Sequence, residues 1–392
     1  MSLARPHEEA RTPARAGEGT PVNPRVSDTM RLARILCILL LVYAHAQPYQ
    51  PGVPESLLSP MGLIHYLRQL LGHTSVPLLS LLSGYLLARA LSQRPYAQAL
   101  SHRFFSLIVP LVLWNLIYLA KETLESGFTA VPAVQEWPNA VLALTAQPAM
   151  APLYFLRDAF VCALISPALI FLARRLPRTA TAALLLNALL GLDGVLFLNG
   201  AIPLFYFVGC LWWVHQAPIP AQAMPREPVL AAGLAMVLLA AAPFFLPPAW
   251  GASDPRSVTY AMLDIALRAA GCVVFWAAAS RLLDTRAGDV LLRFEPIAFF
   301  IFCTHGMATG LWWMAIERTG HADTPPVFLA HFALSPLLAL LVCVPAVWAL
   351  RRLAPRVLSV LMGGRAPNRQ QMARMTRPLA PAPLARTQGL IP

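Results

Sequence analysis

Charged residues are scarce in this sequence of 392 amino acids. Asp, Glu, Lys and Arg together make up 12% of the chain, whereas a soluble domain usually carries about 25% because its surface must be solvated. Hydrophobic residues reach 57%, and the mean hydropathy is +0.59. The shortage of charge argues against ordinary soluble domains and predicts a protein embedded in a lipid bilayer.

Paired cysteines and an N-terminal apolar stretch are also missing. The six cysteines show no C-x-x-C spacing, which argues against a metal knuckle or a disulfide framework. Residues 1–30 contain no early apolar run, so we interpret them as a disordered cytoplasmic tail rather than a signal peptide.

Lysine occurs once, at Lys121, and the basic residues that give the net charge of +12 lie mainly in short loops and tails. This distribution is typical of membrane topology and argues against nucleic-acid binding.

Long apolar runs account for most of the chain and predict an all-α fold. A window of roughly 19 residues gives about ten transmembrane helices, near 31–47, 74–92, 104–121, 152–173, 179–198, 200–216, 229–248, 258–281, 293–316 and 328–350. The sequence therefore predicts a polytopic helical bundle over 31–352. A Pro- and Arg-rich cytoplasmic tail is predicted over 353–392.

The distribution of arginines predicts the orientation of this bundle. With a cytoplasmic N-terminus, the inward segments hold 24 basic residues and the outward segments hold 4, which leaves Arg157 and Arg268 inside spans. A missing or extra helix would invert every later loop. Because positive loops are retained in the cytoplasm, both termini are predicted to be cytoplasmic, with the bundle surrounded by membrane lipids.

Two histidines are predicted deep inside the membrane. His45 lies eleven residues beyond Arg34, which is roughly 16 Å of helix and close to three full turns. His305 lies twelve residues beyond Arg293, so the two imidazoles are predicted at one depth. Ionisable groups in hydrocarbon are costly and usually functional, and an imidazole can accept a hydroxyl proton near neutral pH. The alternative is that His45 only hydrogen-bonds a neighbouring helix. Ligand spacing for a metal is absent around both histidines.

Five short motifs, in this order, resemble those of the bacterial acyltransferase family 3 membrane proteins. They are Arg34 with His45, Val76 to Tyr85 with its Ser-Gly-Tyr end, His102-Arg103 before Pro110, Pro152 to Leu156, and Phe299 to His305. Three positions depart from the family pattern: Ser106 near an expected arginine, Tyr154 for Trp, and Phe302 for Tyr. The resemblance runs from about residue 31 to 350.

The resemblance implies a fold and an activity. The family has about ten core helices and an inward N-terminus, and its members acylate sugars, glycans, lipids and antibiotics. The resemblance also implies a place in a bacterial inner membrane. In the family, the arginine and histidine of the first helix are needed for activity, which implies the same for Arg34 and His45. We therefore expect transfer of an acyl group, acetyl or another short chain, from acyl-CoA to a hydroxyl of a sugar, glycan or lipid-linked acceptor. No bound cofactor is expected.

The remaining polar residues are assigned supporting roles. Arg103, Arg34 and Arg293 are candidates to hold the phosphates of CoA. His45 is expected to act as the base or as a covalent acyl relay, with His305 or Tyr85 as oxyanion donor. Further candidate substrate-binding residues are Ser83, which could equally serve close helix packing, and Asp158. Asp264 and Arg268 are expected to form a structural pair on one helix face.

Two other functions remain open on the sequence alone. A glycan or lipid transporter would need polar residues along a full-depth path, whereas here they concentrate on the first, second and ninth spans. A structural membrane subunit would not need histidine and arginine inside the membrane.

Overall fold

The structure is a computed structural model that describes residues 23–47, 52–127, 129, 131–192, 194–220, 223–254, 257–322 and 324–376. Within these residues the chain forms helices and no strands. The α-helices are α1 (Pro24–His45), α2 (Pro60–Leu67), α3 (Val76–Leu91), α4 (Tyr96–Arg103), α5 (Val109–Glu125), α6 (Trp137–Leu142), α7 (Tyr154–Leu164), α8 (Ser166–Arg175), α9 (Pro177–Leu190), α10 (Ala201–Val214), α11 (Arg226–Phe245), α12 (Val258–Leu282), α13 (Arg286–Phe294), α14 (Ala298–Glu317), α15 (Pro325–Leu353), α16 (Pro355–Leu361) and α17 (Arg369–Thr376). The all-α prediction is confirmed for this part of the chain.

Six helical stretches in the described residues are long and apolar enough to cross a membrane. They are Pro60–Leu91, Tyr96–Glu125, Arg226–Phe245, Val258–Leu282, Arg286–Glu317 and Pro325–Leu353. A seventh span arises if α7 and α8, which meet at 63°, are taken as one broken helix. The protein is therefore a multi-pass helical membrane protein.

The length and composition of the helices identify fewer spans than the ten or so that the sequence predicts. Helix α1 carries Arg25, Asp28, Arg31 and Arg34 within its 22 residues, so it lacks a sufficiently uncharged run. Helices α9 and α10 have 14 residues each, fewer than the roughly 20 that cross a bilayer unaided. The ten-span topology stays a prediction.

The centre of the bundle is α1, which packs against α3, α12, α14 and α15. Helix α3 in turn packs closely on α10. A Cβ at Gly84 would overlap the carbonyl oxygen of Tyr206, and one at Gly209 would overlap that of Leu81. Both glycines therefore allow the backbones to touch, as small residues do at membrane helix crossings. The crossing fixes the position of α3 beside α1.

The predicted polar tails differ in part from the structure. Helix α1 begins at Pro24, so 24–30 is helical rather than part of a tail. The region after 352 also contains two helices, α16 and α17, which pack on α5 and α13 respectively. Apolar residues such as Leu358 and Met362 are fully buried there, which explains why this segment folds against the bundle. Residues 1–22 and 377–392 lie outside the described residues.

Candidate active site

Arg34, in the N-terminal half of α1, forms a salt bridge across the bundle with Glu295 at the turn before α14. The Arg34 Nη1 atom donates to Glu295 Oε1 at 2.9 Å, and Arg31 approaches the other carboxylate oxygen at 3.4 Å. The Glu295 side chain is 12% exposed and that of Arg34 is 40% exposed. The carboxylate thus anchors two arginines of α1 and leaves much of the Arg34 side chain accessible.

A cavity of about 340 Å³ opens beside this salt bridge. Its charged lining consists of Arg34, Arg103, Arg365 and Glu295, three positive groups against one negative. Among the residues that the structure describes, neither Arg103 nor Arg365 forms a salt bridge with a carboxylate. Guanidinium groups recognise phosphate and carboxylate through paired hydrogen bonds. The lining therefore suits a ligand with several negative charges.

The two histidines lie against each other at the far end of α1 and in the middle of α14. Their ring centroids are 5.3 Å apart, and the rings are inclined by 50°. His45 is eleven residues beyond Arg34, and His305 is ten beyond Glu295. Each imidazole thus lies about 15 Å along its helix from the salt bridge. The structure brings together the two rings that the sequence placed at one depth.

The hydrogen bonds of His305 fix the tautomer of its neutral ring. Its Nδ1 atom lies 2.9 Å from the carbonyl oxygen of Phe302 and 3.3 Å from that of Ile301. Because carbonyl oxygens only accept, Nδ1 carries the proton, and Nε2 then holds a lone pair. Nε2 is buried and has no hydrogen-bond partner in the described part of the protein. The expected role of neutral His305 as an oxyanion donor therefore does not fit, because the ring presents a proton acceptor.

Phe302 lies between the arginine cavity and the histidines. It lines the cavity, and its ring centroid is 6.4 Å from that of His305. Phe155 contacts Phe302 in a T-shaped arrangement at 5.8 Å. Apolar side chains such as Ile38 and Leu79 line the cavity beside them. The charged end is thus continuous with an apolar wall that reaches towards the imidazoles.

A short irregular segment before α3 packs against the end of α1. A π-helical turn over Arg68–Gly72 leads into a 3₁₀ turn over His73–Ser75. Arg68 is buried and donates from Nη2 to the carbonyl oxygen of Ala46 at 2.8 Å, which satisfies one free carbonyl at the helix end. A Cβ at Gly72 would lie 2.5 Å from the nitrogen of Ala44, so only glycine allows this approach. The segment therefore packs against the last turn of α1, which ends at His45.

The side chains of the Ser-Gly-Tyr motif line two different pockets. Ser83 lines the arginine cavity, and its hydroxyl donates to the carbonyl oxygen of Leu79 at 2.7 Å. Tyr85 lines a separate apolar pocket and packs edge-on against Trp213 at 5.5 Å. Two residues along a helix turn the side chain by about 200°. The structure therefore brings Ser83 into the candidate site and leaves Tyr85 outside it.

The remaining polar residues that the sequence singled out do not line the arginine cavity. Asp158 is fully buried, pairs with Arg157 at 2.9 Å and accepts from the backbone nitrogens of Leu198 and Asn199 at 3.3 and 3.0 Å. These contacts hold the connection before α10. Arg293 lies on α13 and is absent from the residues that line the cavity. The predicted pair of Asp264 and Arg268 is confirmed, with 2.6 Å between Nε and Oδ2.

Comparison with known proteins gives the family. A family described as "Acyltransferase domain" matches residues 28–350. The chain belongs to this acyltransferase family. It is also 32% identical over 365 residues to the succinoglycan biosynthesis protein ExoH of Rhizobium meliloti (strain 1021), covering 88% of this chain and 94% of that protein. No solved structure matches it significantly.

Membership of the acyltransferase family decides between the functions that the sequence left open. The protein is a membrane acyltransferase, and nothing in the comparisons supports the transporter alternative. The matched region contains Arg34, His45, Arg103, Glu295 and His305. It ends at residue 350, so the segment that carries Arg365 lies beyond it.

Proposed function

We propose that this acyltransferase moves an acyl group from acyl-CoA to a hydroxyl group of a cell-envelope polysaccharide. The observation that carries the proposal is the contact between His45 and His305, which the cavity-lining ring of Phe302 separates from the arginine-lined cavity. The name of the relative from Rhizobium meliloti supports a polysaccharide acceptor, because that protein acts in succinoglycan biosynthesis.

The charged cavity supports acyl-CoA as the donor. Arg34 and Arg103 face the same space and would bind the negatively charged phosphates of CoA. Arg293, which does not line the cavity, stays a candidate for the same role. The distance of roughly 15 Å along α1 and α14 from the salt bridge to the imidazoles suits a donor whose thioester is separated from its phosphates by a long linker. The apolar wall around Phe302 suits the weakly polar linker.

The histidine pair supports direct transfer to a hydroxyl. The lone pair on His305 Nε2, or that on the adjacent His45 ring, accepts the acceptor's hydroxyl proton as its oxygen attacks the thioester carbonyl carbon. The C–S bond then breaks, a C–O ester bond forms, and the proton passes to the departing thiolate to give CoA-SH. The contact between the two imidazoles therefore places two groups that can accept this proton beside each other.

The experiment that tests this function compares polysaccharide from cells with and without the protein. We expect ester-linked acyl groups, measured as mass increments on intact repeat units, to disappear without the protein. Purified protein in lipid nanodiscs should transfer a labelled acyl group from acyl-CoA to the unmodified polymer. If cells without the protein kept a normal ester content but accumulated the polymer on one side of the membrane, the protein would instead be a transporter.

We also propose that the protein has ten spans, that both termini are cytoplasmic and that it resides in the bacterial inner membrane. Helices α1, α9 and α10, with the bent pair α7–α8, would add four spans to the six long ones. Helix α10 is largely buried in the bundle and can be short because protein rather than lipid surrounds it. We expect reporter fusions after Arg178 and at the C-terminus to be cytoplasmic, and one at Lys121 to be external. An external C-terminus would show that the number of spans is odd.

A further inference from the structure

The chain beyond the matched family region is held firmly against the bundle. The indole Nε1 of Trp114, on α5, donates to the carbonyl oxygen of Leu361 at 3.0 Å in a buried contact. Gly363 follows with φ +57°, and a Cβ there would lie 2.7 Å from the backbone of Ser106. Because a side chain at Gly363 would be strained and would clash, this turn depends on glycine. The position of the next residues is thus set by the bundle.

This turn places Arg365 in the arginine cavity. The guanidinium carbon of Arg365 lies 4.3 Å from the ring centroid of Phe299, over its face, and Gln371 of α17 lines the same cavity. Arg365 faces the cavity. More than a third of its surface is therefore accessible, although protein surrounds its guanidinium group. Burial, followed by the charges of Arg103 and Arg34, lowers the pKa of Arg365 to about 10. The group nevertheless stays positively charged at neutral pH.

Three guanidinium groups around one cavity repel one another. Glu295 compensates only part of this charge, because it already pairs with Arg34 and Arg31. Holding like charges together without a counter-charge is destabilising. A ligand with several phosphate groups would remove that repulsion and accept charge-assisted hydrogen bonds from each arginine.

We propose that Arg365, held in place by the turn over 361–364, completes a binding site for the phosphate groups of the acyl-CoA donor. This inference rests on the proposed function, and it makes Arg365 a part of the donor site rather than a residue of a tail. Arg365 binds together with Arg34 and Arg103, while the thioester extends towards the histidines. It acts on donor affinity and takes no part in proton transfer.

The test uses full-length protein in nanodiscs and the variant Arg365→Gln. The matched control is Arg369→Gln, a neighbouring exposed arginine that lines a different groove. One donor is acetyl-CoA, and the other is an acetyl-pantetheine thioester without phosphates. Losing a charge-assisted hydrogen bond should raise KM for acetyl-CoA by about 10- to 100-fold, with kcat near normal. Activity with acetyl-pantetheine should be unchanged, and Arg369→Gln should match the wild type with both donors.

Binding of adenosine 3′,5′-bisphosphate to the purified protein separates this inference from the proposed function. We expect the wild type to bind it and Arg365→Gln to bind about 10-fold more weakly or worse. Such binding would support the phosphate site even if acyl-CoA were not the donor. An Arg365→Gln variant that binds the bisphosphate normally would overturn the inference. An equal loss of activity with both donors would overturn it too, since that would indicate a structural or lipid-binding role.

Discussion

We expect the replacement of either His45 or His305 by Gln to reduce acyl transfer by at least about 100-fold, the usual contribution of a general base. Gln keeps a polar side chain but cannot accept a proton at neutral pH. Because the two rings are in contact at 5.3 Å and act on one reacting centre, their losses should not multiply. The double variant should be hardly slower than the more damaged single variant.

The measurement is ester product per unit of membrane-inserted protein, with His331→Gln as the matched control. His331 is also buried, and its Nδ1 atom also lies 3.0 Å from a backbone carbonyl oxygen, that of Gln47. It packs on Trp313 and lies on α15, outside the His45–His305 pair. We expect His331→Gln to retain most of its activity. Near-normal transfer in both His45→Gln and His305→Gln would remove the pair from the mechanism.

Arg34→Lys should lower acyl transfer by about 10- to 100-fold while the protein still inserts. Lysine keeps the positive charge but loses the planar fork, which can bind Glu295 and a phosphate at the same time. The loss corresponds to one or two charge-assisted hydrogen bonds. We expect the effect mainly in KM for acyl-CoA, because Arg34 lies about 16 Å along α1 from His45 and faces the charged end of the cavity.

Arg31→Lys is the matched control for Arg34→Lys. Arg31 lies one turn earlier on the same helix and shares the Glu295 carboxylate, but it does not line the cavity. A similar loss in both variants would show that the salt bridge to Glu295 matters for assembly of the bundle. A loss of acyl transfer in Arg34→Lys alone would show that Arg34 acts on binding of the donor. Equal, wild-type KM values in both variants would reduce Arg34 to a charge that sets topology.

Local composition was sufficient to predict the class of protein and part of its site. A bilayer imposes long apolar helices with few charges, so the helical membrane fold could be deduced from runs of residues that are neighbours in the chain. Helical rise is constant, which allowed the depths of His45 and His305 to be compared before their contact was known. The cost of an ionisable group in hydrocarbon distinguished these histidines from ordinary loop polar residues.

The partners of these residues were decided only by the tertiary structure. Glu295 and Arg34 are 261 positions apart, and no periodicity in either helix records that they meet. Tyr85 and Ser83 share one motif, yet the packing of α3 directs them to different pockets. After α2, the close approach of Gly72 to α1 leads the chain into an irregular turn beside the end of that helix, and no local pattern indicates this approach.

The position of Arg365 in the cavity could not be predicted from the sequence. In the sequence it is one of several arginines in a Pro- and Arg-rich region, and composition alone predicts a solvated tail. Its place in the cavity depends on the hydrogen bond from Trp114 to Leu361 and on Gly363 lying against Ser106. The sequence by itself determined that this protein is a helical bundle in a membrane with histidine inside it. Only the packing of distant segments decided which charges surround the cavity, because side-chain contacts depend on distances in space that local pattern does not encode.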